Sequence, residues 1–171
     1  MFINPKKAID EGWLTGIVDT ETQIQPNALD FTLDRVFEIN GNNDFVITED
    51  GKKMRGGNEL EPIELPRNSG QDYFPLGVGA YDGLSDVYVK LPEGIAAMVI
   101  IRSSFNRNGV FITSGLYDSG YQGHIGFCIH NYLGLTRIGV GTRIGQLMLI
   151  ESDSEGKYVG KWSHEPGTHW S

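Results

Sequence analysis

The chain is poor in cysteine, in positive charge and in long apolar runs, and each shortage removes a class of function. Its one cysteine, Cys128, can form neither an internal disulfide nor a site in which several thiolates hold a metal. The first residues lack the basic-then-apolar layout of a secretory signal, so a reducing cytoplasm, bacterial or that of a virus-infected bacterium, is the expected compartment. Fourteen Lys and Arg face 22 Asp and Glu, a formal net charge of −8, whereas a nucleic acid is held mainly by excess cations that displace its counterions. No nucleic-acid partner is expected; a small anion needs only a local basic cluster. The longest apolar run, residues 95–101, falls far short of the roughly 20 residues that span a bilayer, so no membrane partner is expected either.

What remains suits one domain over residues 1–171: 39% of side chains are apolar, and no charged or low-complexity tract exceeds a few residues. Asn4-Pro5 followed by residues 6–13 predicts one short helix, because Pro suits a first helical turn and Ile9, Trp13 and Leu14 recur near helical spacing; Gly16 is placed to end it. After that the helical period disappears. Short β-type runs at 28–38, 45–48, 73–76, 86–91, 96–101, 110–113, 125–131 and 144–150 alternate with clusters of turn residues such as Asn40-Gly41 and Asp118-Ser119-Gly120. With 23 glycines among them, these runs predict a mainly β fold, a distorted barrel or jelly roll with a short N-terminal helix. The polar span 52–71 reads as a long surface loop or irregular hairpin.

Three segments carry the chemistry. Arg102-Ser103-Ser104-Phe105-Asn106-Arg107 follows an apolar strand and offers two guanidiniums and two hydroxyls, the donors that hold phosphate oxygens. Taken alone, these are equally the solvated residues of a turn. Gly115-Leu116-Tyr117-Asp118-Ser119-Gly120-Tyr121-Gln122-Gly123 is a glycine-rich hairpin whose aspartate could orient a water and whose tyrosine could pack under a sugar that lacks a 2′-hydroxyl. Its bland reading is a turn-capping Asp and a hairpin Tyr. Gly141-Thr142-Arg143-Ile144-Gly145-Gln146-Leu147 sets a cation and an amide where a C-terminal strand begins.

In this order the three segments resemble the second, third and fourth signature motifs of the trimeric deoxyuridine triphosphatase (dUTPase) and deoxycytidine triphosphate (dCTP) deaminase family. The likeness extends outward. Ile24-Gln25-Pro26-Asn27-Ala28-Leu29-Asp30-Phe31-Thr32-Leu33 resembles the opening motif of the deaminase branch, and residues 88–97 resemble the strand and turn before its Arg-Ser-Ser. Lys157-Tyr158-Val159-Gly160-Lys161 resembles that branch's segment that closes over bound nucleotide, so 157–171 is expected to be a lid or a subunit-docking tail.

The resemblance implies a barrel of the dUTPase type and one of two reactions: splitting dUTP to dUMP and pyrophosphate, or deaminating dCTP to dUTP. The position that the deaminase branch gives to a proton-shuttling glutamate falls on Cys128. A thiol of pKa about 8.5 is mostly protonated at neutral pH and replaces a carboxylate poorly. Zinc-dependent deamination is excluded, since neither a His-x-Glu nor a Pro-Cys-x-x-Cys occurs. Hydrolysis is therefore the expected reaction, with dCTP deamination by a different acid as the alternative and a non-catalytic nucleotide-binding or structural trimer as a third reading. In the mechanism implied, Asp118 orients the water; Arg102, Ser103, Ser104, Arg107 and Gln146 hold the triphosphate, with Lys157 and Lys161 adding charge. Thr113, Ser114 and Gly115 read the base through backbone groups, Tyr121 selects deoxyribose, and Trp162 or Trp170 either stacks on the base or docks on a neighbouring subunit. Mg²⁺ is held through the triphosphate alone, and a homotrimer with shared sites is implied. Strand alternation sets Ile125, Phe127 and Ile129 on one face and Gly126, Cys128 and His130 on the other.

Overall fold

The computed structural model describes residues 1–64, 70–160 and 162–164. The N-terminal helix forms over Pro5–Asp10, with the Asn4 side chain accepting a hydrogen bond from the Lys6 amide at 2.9 Å. It ends well before Gly16, because Gly12 takes a φ of +73° and lets the Trp13 amide bond back to the Ala8 carbonyl at 2.8 Å. Two single helical turns, Thr20–Gln23 and Ser103–Asn106, complete the helix content among the described residues.

The remainder is β. One sheet has the strand order Val110–Thr113, Gln122–Asn131, Gly79–Lys90, Arg35–Ile39, Gly57–Glu59, with Leu14–Thr15 also paired to Gly79–Lys90. A second has the order Phe2–Ile3, Arg143–Glu151, Ile95–Ile101, with Leu29–Thr32 also paired to Arg143–Glu151. Thr136–Gly139, Asp72–Leu76 and Ile63–Glu64 form a third, and Val46–Thr48 with Gly51–Lys53 form a hairpin. All pairings are antiparallel. The inward faces of the two larger sheets make the core: Phe31 of one and Phe127 of the other meet at 5.2 Å between ring centroids, among fully buried Leu29, Ile125, Ile129, Leu147 and Leu149.

The alternation expected along the Gln122–Asn131 strand holds: Ile125, Phe127 and Ile129 are buried while Gly126, Cys128 and His130 are half-buried on the opposite face. Three expectations are corrected. The run 28–38 is two strands in different sheets, Leu29–Thr32 and Arg35–Ile39. Of the two readings of 52–71 the loop gives way to the irregular hairpin: in its described part Lys52 and Lys53 pair with Ile47 and Val46, Ile63–Glu64 pairs with the following strand, and Gly57–Glu59 pairs with Arg35–Ile39. The strand expected at 86–91 begins at Gly79 and runs 12 residues. Within it Gly83 serves the packing: a Cβ there would lie 2.6 Å from the Phe127 ring.

Candidate active site

Two groups of the expected site residues come together in the chain, around two cavities that share no lining residue. The first gathers around Asp30, an acid buried on the Leu29–Thr32 strand. Its cross-strand partner Gln146 donates from Nε2 to Oδ1 at 2.9 Å. Arg102 Nε and Arg143 Nη1 each lie 3.3 Å from Oδ2, and Arg102 Nη1 donates to the Arg143 carbonyl at 2.9 Å. Two guanidiniums against one carboxylate leave a net positive charge. It faces a cavity of about 400 Å³ whose walls include Thr22, Thr32, Arg102, Thr142 and Arg143. Sequence reading selected Arg102 and Gln146 as phosphate donors but missed the acid that holds them. The signal was a lone Asp inside the apolar run Ala28-Leu29-Asp30-Phe31, which burial makes costly unless cations pair with it.

Ser103, Ser104 and Arg107 lie on and just after the turn Ser103–Asn106, exposed to solvent, and their side chains make no hydrogen bond or ion pair among the described residues. They remain available donors, whereas Arg102 and Gln146 are engaged with Asp30. Lys161 and Trp170 lie outside the described residues.

The second group surrounds the hairpin between the strands Val110–Thr113 and Gln122–Asn131. Tyr117 is fixed by a two-way backbone bridge to Ala97, at 2.9 and 2.8 Å, and its phenol donates to the Gly126 carbonyl at 2.7 Å. Gly120 closes the turn with a φ of +80°, and the Tyr121 amide bonds the Asp118 carbonyl at 3.0 Å. The Ser119 hydroxyl ties this turn to its neighbour, accepting from the Gly94 amide at 2.8 Å and donating to the Pro92 carbonyl at 3.3 Å. Asp118 is thereby held on a braced turn with its carboxylate exposed. Thr113 and Ser114 are also exposed, the Thr113 hydroxyl 3.1 Å from His130 Nε2 and the Ser114 hydroxyl donating to the Gly115 carbonyl.

The C-terminal segment folds back over this hairpin. The Tyr158 amide bonds the Ser119 carbonyl at 2.7 Å, Lys157 lies on Gly120 with its ammonium 3.8 Å from Glu93, and the His164 amide bonds the Gln122 carbonyl at 2.9 Å. Tyr121 is buried beneath it, its ring 5.1 Å from that of Tyr117 and 5.6 Å from that of Tyr158. Burial and the neighbouring phenols raise the Tyr121 pKa, so it is a neutral, packed ring. Between Gly115, Leu116, Tyr117, Gly126, Tyr158 and Trp162 lies a cavity of about 240 Å³. It shares no residue with the cavity beside Asp30.

Cys128 stands two residues beyond Gly126 on the same strand face, half-buried. Burial, with Asp82 nearby, pushes its thiol up, so it stays protonated. Its cross-strand partner is Asp82, a residue that lies outside the β-type runs read from the sequence. The Asp82 carboxyl has no hydrogen-bond or ion-pair partner among the described residues, and burial pushes it up to about 6.

Among the described residues no three His, Cys, Asp or Glu are grouped to hold a metal ion. No described helix is long and apolar enough to cross a membrane. The family model described as dCTP deaminase-like matches residues 5–152. The chain belongs to the dCTP deaminase-like family. Its relatives within reach of sequence comparison include a protein of Archaeoglobus fulgidus described as a probable deoxyuridine 5′-triphosphate nucleotidohydrolase, 31% identical over 158 residues, which are 88% of this chain and 89% of that one. The deoxyuridine 5′-triphosphate nucleotidohydrolase of Methanocaldococcus jannaschii is 28% identical over 141 residues, 82% of this chain and 86% of that one. Among solved structures, the 2′-deoxycytidine 5′-triphosphate deaminase of Agrobacterium tumefaciens aligns with a TM-score of 0.62 at 19% identity, over 85% of this chain. The match takes in only 46% of that longer protein, and the likeness concerns the fold. This dCTP deaminase-like chain is thus a mainly β member of its family, with the short N-terminal helix in place.

Proposed function

We propose that this chain hydrolyses dUTP to dUMP and pyrophosphate. The observation that carries the choice is the contrast between two positions on one hairpin. Asp118 presents an exposed carboxylate on a braced turn, whereas Cys128, where a deaminating chain would need an acid, presents a protonated thiol. The nucleotidohydrolase names of the relatives support the same reading.

In this mechanism Ser103, Ser104 and Arg107 bind the triphosphate, and the cluster around Asp30, with Arg102, Arg143 and Gln146, adds its net positive charge. Lys157 and Lys161 contribute charge from the C-terminal segment. The backbone of residues 113–115 reads the base, and Tyr121 forms the floor on which a sugar without a 2′-hydroxyl rests. Asp118 accepts a hydrogen bond from the water and aims its lone pair at the α-phosphorus, a positioning task. An Mg²⁺ ion would enter on the triphosphate and take its ligands from the phosphate oxygens and water. When bound, Mg²⁺ spreads the charge that develops on the phosphate oxygens.

A homotrimer is part of the proposal. The cavity beside Asp30 and the hairpin cavity share no lining residue, and Leu116 of the hairpin, with Tyr132, Leu133 and Leu135 beyond the far end of the Gln122–Asn131 strand, are exposed apolar groups suited to burial against another copy. Contact between copies would join one chain's hairpin to another's phosphate residues.

Incubation with Mg²⁺ and dUTP or dCTP, with pyrophosphate, monophosphates and ammonia resolved, tests the reading. The expected result is pyrophosphate and dUMP from dUTP, reduced by about 10²–10⁴-fold in Asp118→Asn with nucleotide binding retained. Unimpaired turnover by Asp118→Asn removes Asp118 from the mechanism. Ammonia from dCTP would establish deamination, and no turnover of either nucleotide would leave a binding or structural trimer.

A further inference from the structure

The site as described leaves one carboxyl group unused. Asp82 lies on the Gly79–Lys90 strand, and its place in the sheet is fixed by register: Thr113, Cys128, Asp82 and Phe37 are successive cross-strand partners in one row. Side chains in such a row share a face, with neighbouring strands about 4.8 Å apart. The row therefore begins at Thr113, the first residue of the arm assigned to the base, and reaches Asp82 two strands on. Little stands between them. Cys128 is small, and the next residue on that face toward the hairpin, Gly126, has no side chain and lines the cavity of about 240 Å³. Tyr117, on the cavity wall, is close enough to feel the Asp82 charge.

The surroundings define what the carboxyl can do. The Cys128 thiol and the Tyr117 phenol are both held neutral by burial. His130 and His124 share that strand face; the His130 ring is hydrogen-bonded to Thr113, and His124 has its Nδ1 3.2 Å from the Ser85 carbonyl and its ring stacked on that of His164. On the far side Phe37 is apolar, and beyond it the only facing charges among the described residues, Arg35 and Glu59, are paired with each other. Among the described residues no cation compensates Asp82. Desolvation without a cation is what moves a carboxyl toward neutral pH, where both of its forms are populated.

The two forms have opposite hydrogen-bonding character. An ionised carboxylate only accepts, and a protonated one can donate. Position 4 of a pyrimidine carries the complementary pair, an amino donor in cytosine and a carbonyl acceptor in uracil. A buried polar group left unpaired at such a contact costs binding, so the contact discriminates.

We propose that Asp82 reads the substituent at position 4 of the bound pyrimidine, favouring an amino base when ionised and a carbonyl base when protonated, so that base preference turns with pH. The inference rests on the nucleotide reading of this site but not on which reaction follows. Its test is therefore an equilibrium one: dissociation constants for dUTP and dCTP, measured by calorimetry in EDTA without Mg²⁺ from pH 5.5 to 8. The triphosphate titrates alike in both nucleotides and cancels in their ratio, and the range stays above the pH at which cytosine itself takes up a proton.

In the wild-type protein the preference for dUTP over dCTP should fall by roughly tenfold as the donor form of Asp82 disappears. In Asp82→Asn, whose amide both donates and accepts at every pH, the ratio should stay within about twofold across the range. Asp82→Ser gives the same readout if the amide variant does not fold. His124→Gln and His130→Gln should each keep the slope, which separates Asp82 from the two imidazoles of that strand face. A flat ratio in the wild type, or an undiminished slope in the Asp82 variants, overturns the proposal. Failure of either nucleotide to bind removes the proposal together with the site reading. A sloping ratio without pyrophosphate release in Mg²⁺ supports the proposal and removes only the hydrolytic reading.

Discussion

Replacing Asp30 by Asn should destabilise the protein more than any other single charge removal in the site. The carboxylate is buried and accepts from Gln146 at 2.9 Å, with two guanidinium nitrogens at 3.3 Å. Breaking a buried ion pair by removing one partner costs about 3–5 kcal/mol when the remaining charge is stranded in the interior. Here the stranded charges are Arg102 and Arg143, with side chains 30% and 32% exposed, so water recovers part of the loss. The Asn amide can still accept from Gln146, but its NH₂ then faces a guanidinium, donor against donor. A loss of about 2–3 kcal/mol follows, and for a chain of this size that lowers Tm by roughly 5–10 °C. Urea unfolding followed by tryptophan fluorescence, with the m value checked for constancy, measures it. Salt sharpens the test. A surface pair fades as ionic strength rises, whereas contacts to a buried carboxylate are screened much less, so most of the loss should persist in 0.5 M NaCl, about three times the physiological ionic strength. A loss below about 0.5 kcal/mol, the scatter of ordinary surface substitutions, would refute the view that this carboxylate organises the phosphate side.

Gly83→Ala places a Cβ 2.6 Å from the Phe127 ring and should cost about 1–3 kcal/mol in chemical denaturation, with near-native stability counting against the packing argument. Asp82 carries a pH signature: its folded pKa of about 6 lies above the ordinary 3.8, so its contribution to stability is fully present below about 3.8 and is lost as pH rises through about 6. That gap is at most about 3 kcal/mol, reduced to about 1–2 by the carboxyl's remaining access to water, and Asp82→Asn should therefore gain on the wild type in Tm between pH 4.5 and 7.5. A constant difference between the two proteins across that range would count against a buried, uncompensated acid. Gly120→Ala forces a left-handed φ of +80° on a residue with a Cβ, which would lie 2.6 Å from Lys157 Cβ. The segment from residue 157 should then lift from the hairpin, seen as faster tryptic cleavage at Lys157; unchanged cleavage would show that the contact does not hold it.

What the sequence made legible was local. The alternation of the Gln122–Asn131 strand, the mainly β class, the N-terminal helix and the order of the three segments were all readable, because each is a property of consecutive residues. Asp82 was hidden by the same logic. Gly77, Gly79 and Gly83 interrupt the β-type pattern around it, and the Phe127 and Ile129 side chains, more than 40 positions further along the chain, explain why a glycine belongs inside that strand. Asp30 was hidden by its apolar neighbours, since the cations that make its burial tolerable come from residues 102 and 143, two segments chosen for phosphate.

The Asp30 cluster also changes what those cations are for. A guanidinium bound only to solvent would swing to meet a phosphate and lose side-chain entropy in doing so. Arg102, by contrast, is already fixed, with Nε held by the Asp30 carboxylate and Nη1 by the Arg143 carbonyl, so the remaining N–H groups of its planar fork are presented in a set direction. The same carboxylate removes one of the two positive charges that Arg102 and Arg143 bring. In the proposed mechanism, a site arranged in this way gives up some raw attraction for an anion in exchange for donors that need no reorganisation as charge develops on the phosphate, and that is the balance catalysis requires.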